Sequence, residues 1–384
     1  MLRWRIAINA FSALQGGGQT YLLNLLPYAK DFSDMKIYIF SPPQFAKLYA
    51  FPGIEVIPFS MPATSILHRI FWEKWELPKL LRRLKIDLVY CAGGIITFSP
   101  PPGCLTAVAF QNMLIFDTDN RRKYPLGYKR FRLAALEKIS KKSFKRADLL
   151  ICLSEHGKKI IDSKVPDRKS SSVVIPHGLD NKFRTAQSSD LARPDLLPDE
   201  EYLLYVSIID AYKAQIEVVR AYHILRQKRP TKEKLLLLGP SINPKYDKLL
   251  RSEIRRLNLE NEIILTGQIH YSTMPSIYHH AKAHIFASTC ETFGIAVLEC
   301  LGSGRPLFLS NRSPMVELAG DGAVYFDPCK PQELADLLLR YLDDERWTEK
   351  IRQKAYERSF LYNWETTARK TFQAMLKLRT GVSG

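Results

Sequence analysis

No stretch of this 384-residue chain approaches the roughly 18 consecutive apolar residues that a membrane-spanning helix requires. The segment Met1–Ala10 is short and strand-like, interrupted by Trp4 and Arg5, and lacks the charged, apolar and small-residue sections of a signal peptide. The expectation is a cytoplasmic protein without a removed leader. No CxxC pair occurs among the six cysteines, Cys91, Cys104, Cys152, Cys290, Cys300 and Cys329. Several lie inside apolar runs, so buried free thiols are expected rather than a disulfide framework or a zinc site. Neither GxGxxG nor a Walker loop is present, which leaves no dinucleotide or ATP assignment. Acidic residues are in short supply, 39 Asp and Glu against 56 Lys and Arg, for a formal charge of +17.

That charge is uneven. Residues 1–190 hold 29 Lys and Arg against 15 Asp and Glu, and the remainder holds 27 against 24. A basic half is drawn to an anionic partner: nucleic acid, a phosphorylated acceptor or an anionic lipid surface. No nucleic-acid-binding motif accompanies it, so nucleic acid is not expected. Basic clusters with aromatics lie at His68–Lys85, which includes Phe71, Trp72 and Trp75, and at Arg121–Arg146. Such a mixture on a helix suits a bilayer interface, and equally a solvated face over a core stripe.

The length suggests two domains. Apolar strands alternate with helical segments, which argues a parallel α/β sheet with ligands at the strand carboxyl ends. Arg5–Ala10 reads as the first strand. A loop Phe11–Thr20 carrying Gly16, Gly17 and Gly18 follows, then a helix Tyr21–Ala29, an arrangement that brings backbone amides close to phosphate. Further strands are expected at Lys36–Phe40, Ile54–Pro58, Ile86–Tyr90, Thr106–Phe110, Asp148–Leu153 and Val173–Ile175, with helices at Ile66–Leu84 and Leu133–Arg146. Asn181–Glu201 is polar, without periodicity, and reads as a linker. A second alternation begins with the strand Tyr202–Ser207 and ends with an amphipathic helix Thr366–Leu378. The expected division is 1–180, a linker at 181–201, a second domain at 202–360 and a terminal helix at 361–384.

The whole chain is organised around Phe286–Pro306. A buried strand, Ala283–Ala287, runs into a polar loop, Ser288–Glu291. Gly294, Ile295, Val297, Leu298 and Leu301 then space like a helix, stopped by Gly302 and Gly304. The amides of Thr292, Phe293, Gly294 and Ile295 therefore sit at a helix N-terminus, which suits a phosphate. Glu291 precedes that end and Glu299 lies about one turn inside it. Acceptors for hydroxyls on both flanks and donors for phosphate between them are what a nucleotide sugar needs.

Glu291 and Glu299, with Phe293-Gly294 between them, resemble the E-x7-E signature of retaining glycosyltransferases of the two-Rossmann (GT-B) type, family 4. The resemblance implies two Rossmann-like domains facing across a cleft, with the C-terminal helix crossing back onto the N-terminal domain. It implies that Glu291 contacts the donor sugar, that Glu299 binds ribose hydroxyls, and that Thr292, Phe293, Gly294 and Ile295 meet the phosphates. Lys213, in the loop after Tyr202–Ser207, stands where the family grips the donor diphosphate. Gly17 and Gly18 match the loop that faces the donor phosphates. Gly267, Gln268 and Ile269 lie where the family binds the base, largely through backbone. No metal is expected; Asp117-Thr118-Asp119 reads as a chance match to a metal motif, placed in the wrong domain for the donor.

Two departures from the family stand out. The Arg that commonly precedes the Lys is missing, and Ser207-Ile208 stands in its place. A subgroup of bacterial polysaccharide mannosyl- and rhamnosyltransferases is similar here, matching Tyr205-Val206-Ser207 and Tyr212-Lys213-Ala214-Gln215. Many members also carry a His where this chain has Gln111-Asn112. Neither residue holds a titratable proton, but Asn112 can bond a sugar hydroxyl. His177 and Gly178 resemble the turn ending the family's first domain, with a hinge role, and His279 and His280 are expected to be structural.

The resemblance implies a metal-free retaining hexosyltransferase, with Glu291 and Lys213 as catalytic residues and Ser207 among the donor contacts. Mannose from GDP-mannose is favoured, delivered to a saccharide or polyprenyl-linked acceptor in polysaccharide, O-antigen or lipopolysaccharide biosynthesis at the inner face of the plasma membrane. A nucleotide-sugar 2-epimerase of the same architecture, or a non-catalytic scaffold, are the alternatives.

Overall fold

The computed structural model describes residues 3–14, 16–170, 172–185 and 191–380. Met1 and Leu2, Gln15 in the glycine loop, residues 186–190 of the expected linker and 381–384 of the expected terminal segment lie outside them. The chain divides into two compact units. The first holds Met1–Phe116, Leu126–Gly178 and Asn363–Gly384; the second holds Asp117–Pro125 and Leu179–Tyr362. Two segments group differently from the sequence reading. Asp117–Pro125, with its DxD-like string, was expected in the first domain and groups with the second unit. Leu179–Thr185, whose larger part was read as linker, also belongs there, because Phe183 is buried against the rings of Tyr271 and Tyr278 at 5.4 and 5.7 Å.

The first unit is built on seven parallel strands: β1 (Trp4–Asn9), β2 (Met35–Ser41), β3 (Ile54–Pro58), β4 (Leu88–Cys91), β5 (Leu105–Phe110), β6 (Leu149–Cys152) and β7 (Ser172–Val174). Their order is β3-β2-β1-β4-β5-β6-β7. β4 and β6 are buried along their whole length, as continuous apolar runs in a sheet covered on both faces must be.

Three helical segments depart from expectation. The first helix is Gly16–Leu25, so Gly17 and Gly18 lie in its opening turn rather than in a loop. Glycine's low helix propensity hid that start, which tertiary packing permits. A Cβ on Gly18 would come within 3.2 Å of Ala13 and 3.5 Å of Gln111 Oε1. Ser154 caps a helix Glu155–Lys164 that the sequence reading passed over, its Oγ accepting from Gly157 N at 3.0 Å. The expected helix Ile66–Leu84 is instead a helix Ile66–Phe71, a π turn Trp72–Glu76 and a helix Leu77–Arg83. Pro78 supplies the reason: it has no N–H for the preceding turn and its ring crowds that turn's carbonyl, so the run widens just before it, with Leu77 N bonded to Trp72 O.

The last helix, Trp364–Lys377, belongs to the first unit. Asn363 caps it, accepting from Thr366 N at 2.7 Å. Its buried Phe372 meets Phe32 at 5.2 Å, and its Trp364 meets Tyr21 at 6.1 Å. His177 lies between Tyr21 and Trp364, 5.0 and 5.6 Å from their rings, and burial takes its pKa down to about 3. It is therefore a neutral packing group. A Cβ on the adjacent Gly178 would stand 2.2 Å from Trp364 N, so only glycine allows this approach.

The second unit repeats the plan with six parallel strands: β8 (Tyr202–Val206), β9 (Lys234–Leu238), β10 (Ile263–Gly267), β11 (Ala283–Phe286), β12 (Leu307–Ser310) and β13 (Val324–Phe326). Their order is β10-β9-β8-β11-β12-β13. The winding reverses between β8 and β11, and the crevice outside the carboxyl ends of strands at such a point is where doubly wound sheets bind ligands. Five of the six cysteines are buried free thiols, as expected; Cys329 is exposed. No helix among the described residues is long and apolar enough to cross a membrane.

Candidate active site

The loops leaving β8 and β11 carry the two residues singled out as catalytic. After β8 the chain turns through Ala211–Lys213, a 3₁₀ turn in which Asp210 accepts from Ala211 N at 2.8 Å. Ala214 then takes a left-handed conformation (φ 53°) and opens the helix Gln215–Lys228. This turn aims Lys213 inward, where its buried Nζ is ion-paired with Glu291 Oε1. The same Nζ lies 5.3 Å from the centre of the Phe286 ring and 5.0 Å from that of Tyr212. Burial alone would lower the Lys213 pKa, but the Glu291 carboxylate beside it prevails and holds it above the ordinary value. The ammonium is thus charged at neutral pH, in surroundings that strengthen its field.

Beyond Glu291, Thr292 and Phe293 are buried, and Phe293 packs edge-on against Tyr362 at 6.3 Å. Gly294 adopts φ 96° and stands at the N-cap of the helix Ile295–Ser303. No side chain caps that end, which begins three residues after Glu291, so its partial positive charge is not offset by a capping side chain. Gly304 in a left-handed conformation ends the helix, while Gly302, expected to share that role, lies inside it.

Glu299, on the same helix, is buried. Its Oε1 accepts from Tyr271 Oη at 2.9 Å and its Oε2 from Tyr278 Oη at 2.7 Å. Burial raises its pKa to about 7, against the lowering effect of the two hydroxyls and of Lys182. Lys182 Nζ lies 4.4 Å from the centre of the Tyr271 ring. Each carboxylate oxygen keeps acceptor capacity beyond its tyrosine. Both tyrosines escaped the sequence reading, which took Met274–His280 only as a helix.

The remaining expected contacts fall into two groups. In the second unit, the Ser207 hydroxyl accepts from Gln215 Nε2 at 2.9 Å and donates to Ile208 O at 3.1 Å, so it holds the loop after β8 in place. Gly267 ends β10 with φ 70°, followed by exposed Gln268 and half-buried Ile269. Its carbonyl accepts from Gly239 N at 3.0 Å, and a Cβ on Gly239 would stand 2.2 Å from Ser207 O. Gly239, missed by the sequence reading, thus lets the loops after β8, β9 and β10 lie against one another. Gly17, Gly18 and the exposed Asn112 belong to the first unit, at the carboxyl ends of β1 and β5.

Asp117–Pro125 braces the same loops. Asp117 caps the helix Thr118–Arg122, accepting from Asn120 N at 2.9 Å and Asn120 Nδ2 at 2.7 Å. Asn120 bonds Thr289, whose N donates to Tyr212 O at 2.8 Å. Asp119 pairs with exposed Arg122 at 3.2 Å. The DxD-like string therefore serves as a helix start, and among the described residues no cluster of three or more His, Cys, Asp or Glu has metal-holding geometry. His279 Nδ1 lies 3.0 Å from Thr185 O, a structural contact.

Comparison with known proteins decides the family. The profile described as Glycosyl transferases group 1 matches residues 188–358, and that described as Glycosyltransferase Family 4 matches residues 15–183. Together they take up most of the chain. It belongs to the family 4 glycosyltransferases. Over 231 residues, 60% of its length, this glycosyltransferase is 23% identical to the O-antigen chain mannosyltransferase B of Escherichia coli, and the match takes up 58% of that protein. Over 264 residues, 67% of its length, it is 22% identical to the serotype-specific mannosyltransferase WbdA of Escherichia coli, taking up 32% of it. The chain thus spans less than two thirds of either relative. Among solved structures it superposes on the sucrose-phosphate synthase of Thermosynechococcus elongatus with a TM-score of 0.74 and 18% identity, covering 99% of this chain and 100% of that one. Anabaena HepE, solved with UDP and glucose, gives 0.74 and 18% over 97% of this chain and 99% of that one. These likenesses establish the GT-B fold.

Proposed function

We propose that this glycosyltransferase binds a nucleoside-diphosphate sugar in the second unit and transfers its hexose with retention of configuration. The diphosphate lies against the start of the helix Ile295–Ser303 and is neutralised by Lys213. Glu291 fixes the sugar and Glu299 accepts from the ribose hydroxyls. Gly267, Gln268 and Ile269 hold the base, and the Ser207 loop borders the phosphates. As the bond to the anomeric carbon breaks, negative charge grows on the departing phosphate, and a desolvated ammonium and a helix N-terminus stabilise it there. No metal is needed in this scheme, because Lys213 and the helix end supply the positive charge. Gly17 and Gly18 supply backbone amides suited to phosphate, and Asn112 can bond a sugar hydroxyl.

The observation that carries the reading is the Lys213–Glu291 pair at the point where the sheet reverses, beside an uncapped helix start. The donor favoured is GDP-mannose, on the strength of the two mannosyltransferase relatives; the acceptor is a saccharide or a lipid-linked saccharide, with the protein lodged on an anionic membrane surface. The test is release of nucleotide from a panel containing GDP-mannose and UDP-glucose, in the presence of a chelator, with the anomeric configuration of the product read by NMR. Release from GDP-mannose with retention is expected. Absence of release from every donor, or an inverted product, overturns the reading.

A further inference from the structure

A helix that buries none of its residues is unusual in a globular unit, and Ile66–Phe71 is such a helix although four of its six residues are Ile, Leu, Ile and Phe. Ile66, Leu67, Ile70, Phe71 and, one turn on, Trp75 are each between 42% and 78% exposed. Positions 66, 67, 70, 71 and 75 share one face of a helical run. Isolated exposed apolar residues are ordinary, but a contiguous stripe of five signals a partner.

The stripe is held firmly from behind. Trp72 is buried, with its ring 5.3 Å from Phe11, 6.1 Å from Phe40 and 5.1 Å from Phe59. Glu73 is buried too, accepting from Asn9 Nδ2 at 3.0 Å and from the Thr97 hydroxyl. Arg69 Nη1 donates to Phe11 O at 2.9 Å. The π turn at Trp72–Glu76 sends Trp72 and Glu73 inward while Lys74 and Trp75 stay outside, the ammonium 5.3 Å from the indole.

Charge identifies the partner. Residues 66–85 hold six Lys and Arg against two Glu; Glu73 is buried and Glu76 pairs with Lys79 at 3.0 Å. Exposed Lys74, Lys79, Arg82, Arg83 and Lys85 follow the stripe. An apolar face with an indole, bordered by cations, matches the acyl boundary of a bilayer below anionic headgroups.

We propose that Ile66, Leu67, Ile70, Phe71 and Trp75 enter the interface of an anionic bilayer, with Lys74, Arg82, Arg83 and Lys85 over the headgroups. This deepens the membrane part of the reading above, yet is independent of the transfer chemistry. The test uses the full chain, sedimented with phosphatidylcholine vesicles with and without phosphatidylglycerol, together with Phe71→Ser/Trp75→Ser and Arg82→Glu/Arg83→Glu. Nucleotide release with a water-soluble acceptor is followed in parallel. The expected result is co-sedimentation with the anionic vesicles only, weakened roughly ten-fold or more by either double variant, with nucleotide release unchanged. Equal sedimentation of the Phe71/Trp75 variant and the parent overturns the proposal, as does a lack of binding by the parent. A self-association in solution that the Phe71/Trp75 variant abolishes assigns the stripe to protein contact and also overturns it. Loss of nucleotide release in every protein alongside intact vesicle binding strikes the transferase reading and leaves this one standing.

Discussion

Asn120 and Thr289, 169 residues apart in sequence, are joined by two hydrogen bonds: Asn120 Nδ2 donates to Thr289 O at 3.3 Å, and the Thr289 hydroxyl donates to Asn120 Oδ1 at 2.6 Å. Lys123 Nζ adds a bond to the same hydroxyl at 3.2 Å. Thr289 lies two residues before Glu291, and its N–H holds the carbonyl of Tyr212, the residue before Lys213. One amide therefore positions both loops of the ion pair. Replacing it with Ala leaves buried polar groups without their partner, at about 1–3 kcal/mol. Asn120→Ala is expected to lower kcat roughly ten-fold or more with a smaller change in donor KM, since, in the proposed site, displacing the Lys213–Glu291 pair harms the transition state more than ground-state binding. Steady-state kinetics with a soluble acceptor measure this. A kcat equal to that of the parent would remove the positioning role.

The Lys213–Glu291 pair predicts a non-additive result. In the proposed donor site, Lys213→Ala takes the positive charge from the departing phosphate, an effect of about 10²–10³ in turnover for one well-placed charge donor. It also leaves Glu291 half-buried opposite nothing, and breaking a buried pair from one side destabilises more than removing both members. Lys213→Ala and Glu291→Ala should each be nearly inactive, and each less stable than the double variant allows by simple addition. Thermal melts of the four proteins with nucleotide-release assays form the cycle. Additive melts would mean that the two side chains do not act as a unit.

Glu299 gives the chain a pH dependence of definite sign. Its pKa is about 7 in the fold, above the ordinary carboxylate value, because burial disfavours the charged form. Between the unfolded pKa and about 7 the folded state holds a proton that the unfolded state has released. Stability from this group is therefore complete at low pH and falls as pH rises, by about 3 kcal/mol by pH 8. Glu299→Gln, which stays neutral, should be near the parent in stability at acid pH and more stable at pH 8, as read by urea denaturation. Donor binding should move the opposite way. The ionised carboxylate is the better acceptor for ribose hydroxyls, so the parent's donor KM should fall as pH passes upward through about 7, and the variant's should not.

Strands such as β4, β6, β9 and β12 were legible because each is an almost continuous apolar run inside a covered parallel sheet, a pattern that needs no knowledge of its neighbours. The string from Glu291 to Glu299 was legible for a related reason: strand, loop and helix follow one another locally. Tyr271 and Tyr278 were not, since nothing near them in sequence says that their hydroxyls end on a carboxylate 28 and 21 residues away. Asp117–Pro125 follows β5 in the chain but groups with the second unit through Asn120 and Thr289, a long-range pairing that composition cannot reveal. At Gly16–Leu25 and around Pro78 the local signals were real, but packing and a widened turn overrode them.

Gly239 offers the sharpest steric test. Its φ of 142° lies where residues with side chains rarely go, and a Cβ would meet Ser207 O at 2.2 Å. That contact is backbone against backbone, so no side chain can swing aside to relieve it. Gly239→Ala must push the loop after β8 away from β9, and with it the Ser207 hydroxyl and the turn that aims Lys213. Overpacking of this kind destabilises by about 1–3 kcal/mol. The site should suffer beyond that global loss, because the displaced loop carries the ammonium. At a temperature where the variant remains folded by circular dichroism, donor affinity measured by calorimetry is expected to drop at least ten-fold. Gly103→Ala serves as the control. Its Cβ meets nothing within 4 Å, so its effect is confined to the strain of φ 81°. Donor binding by Gly239→Ala as tight as by the parent would show that the contact between these loops does not set the position of Lys213.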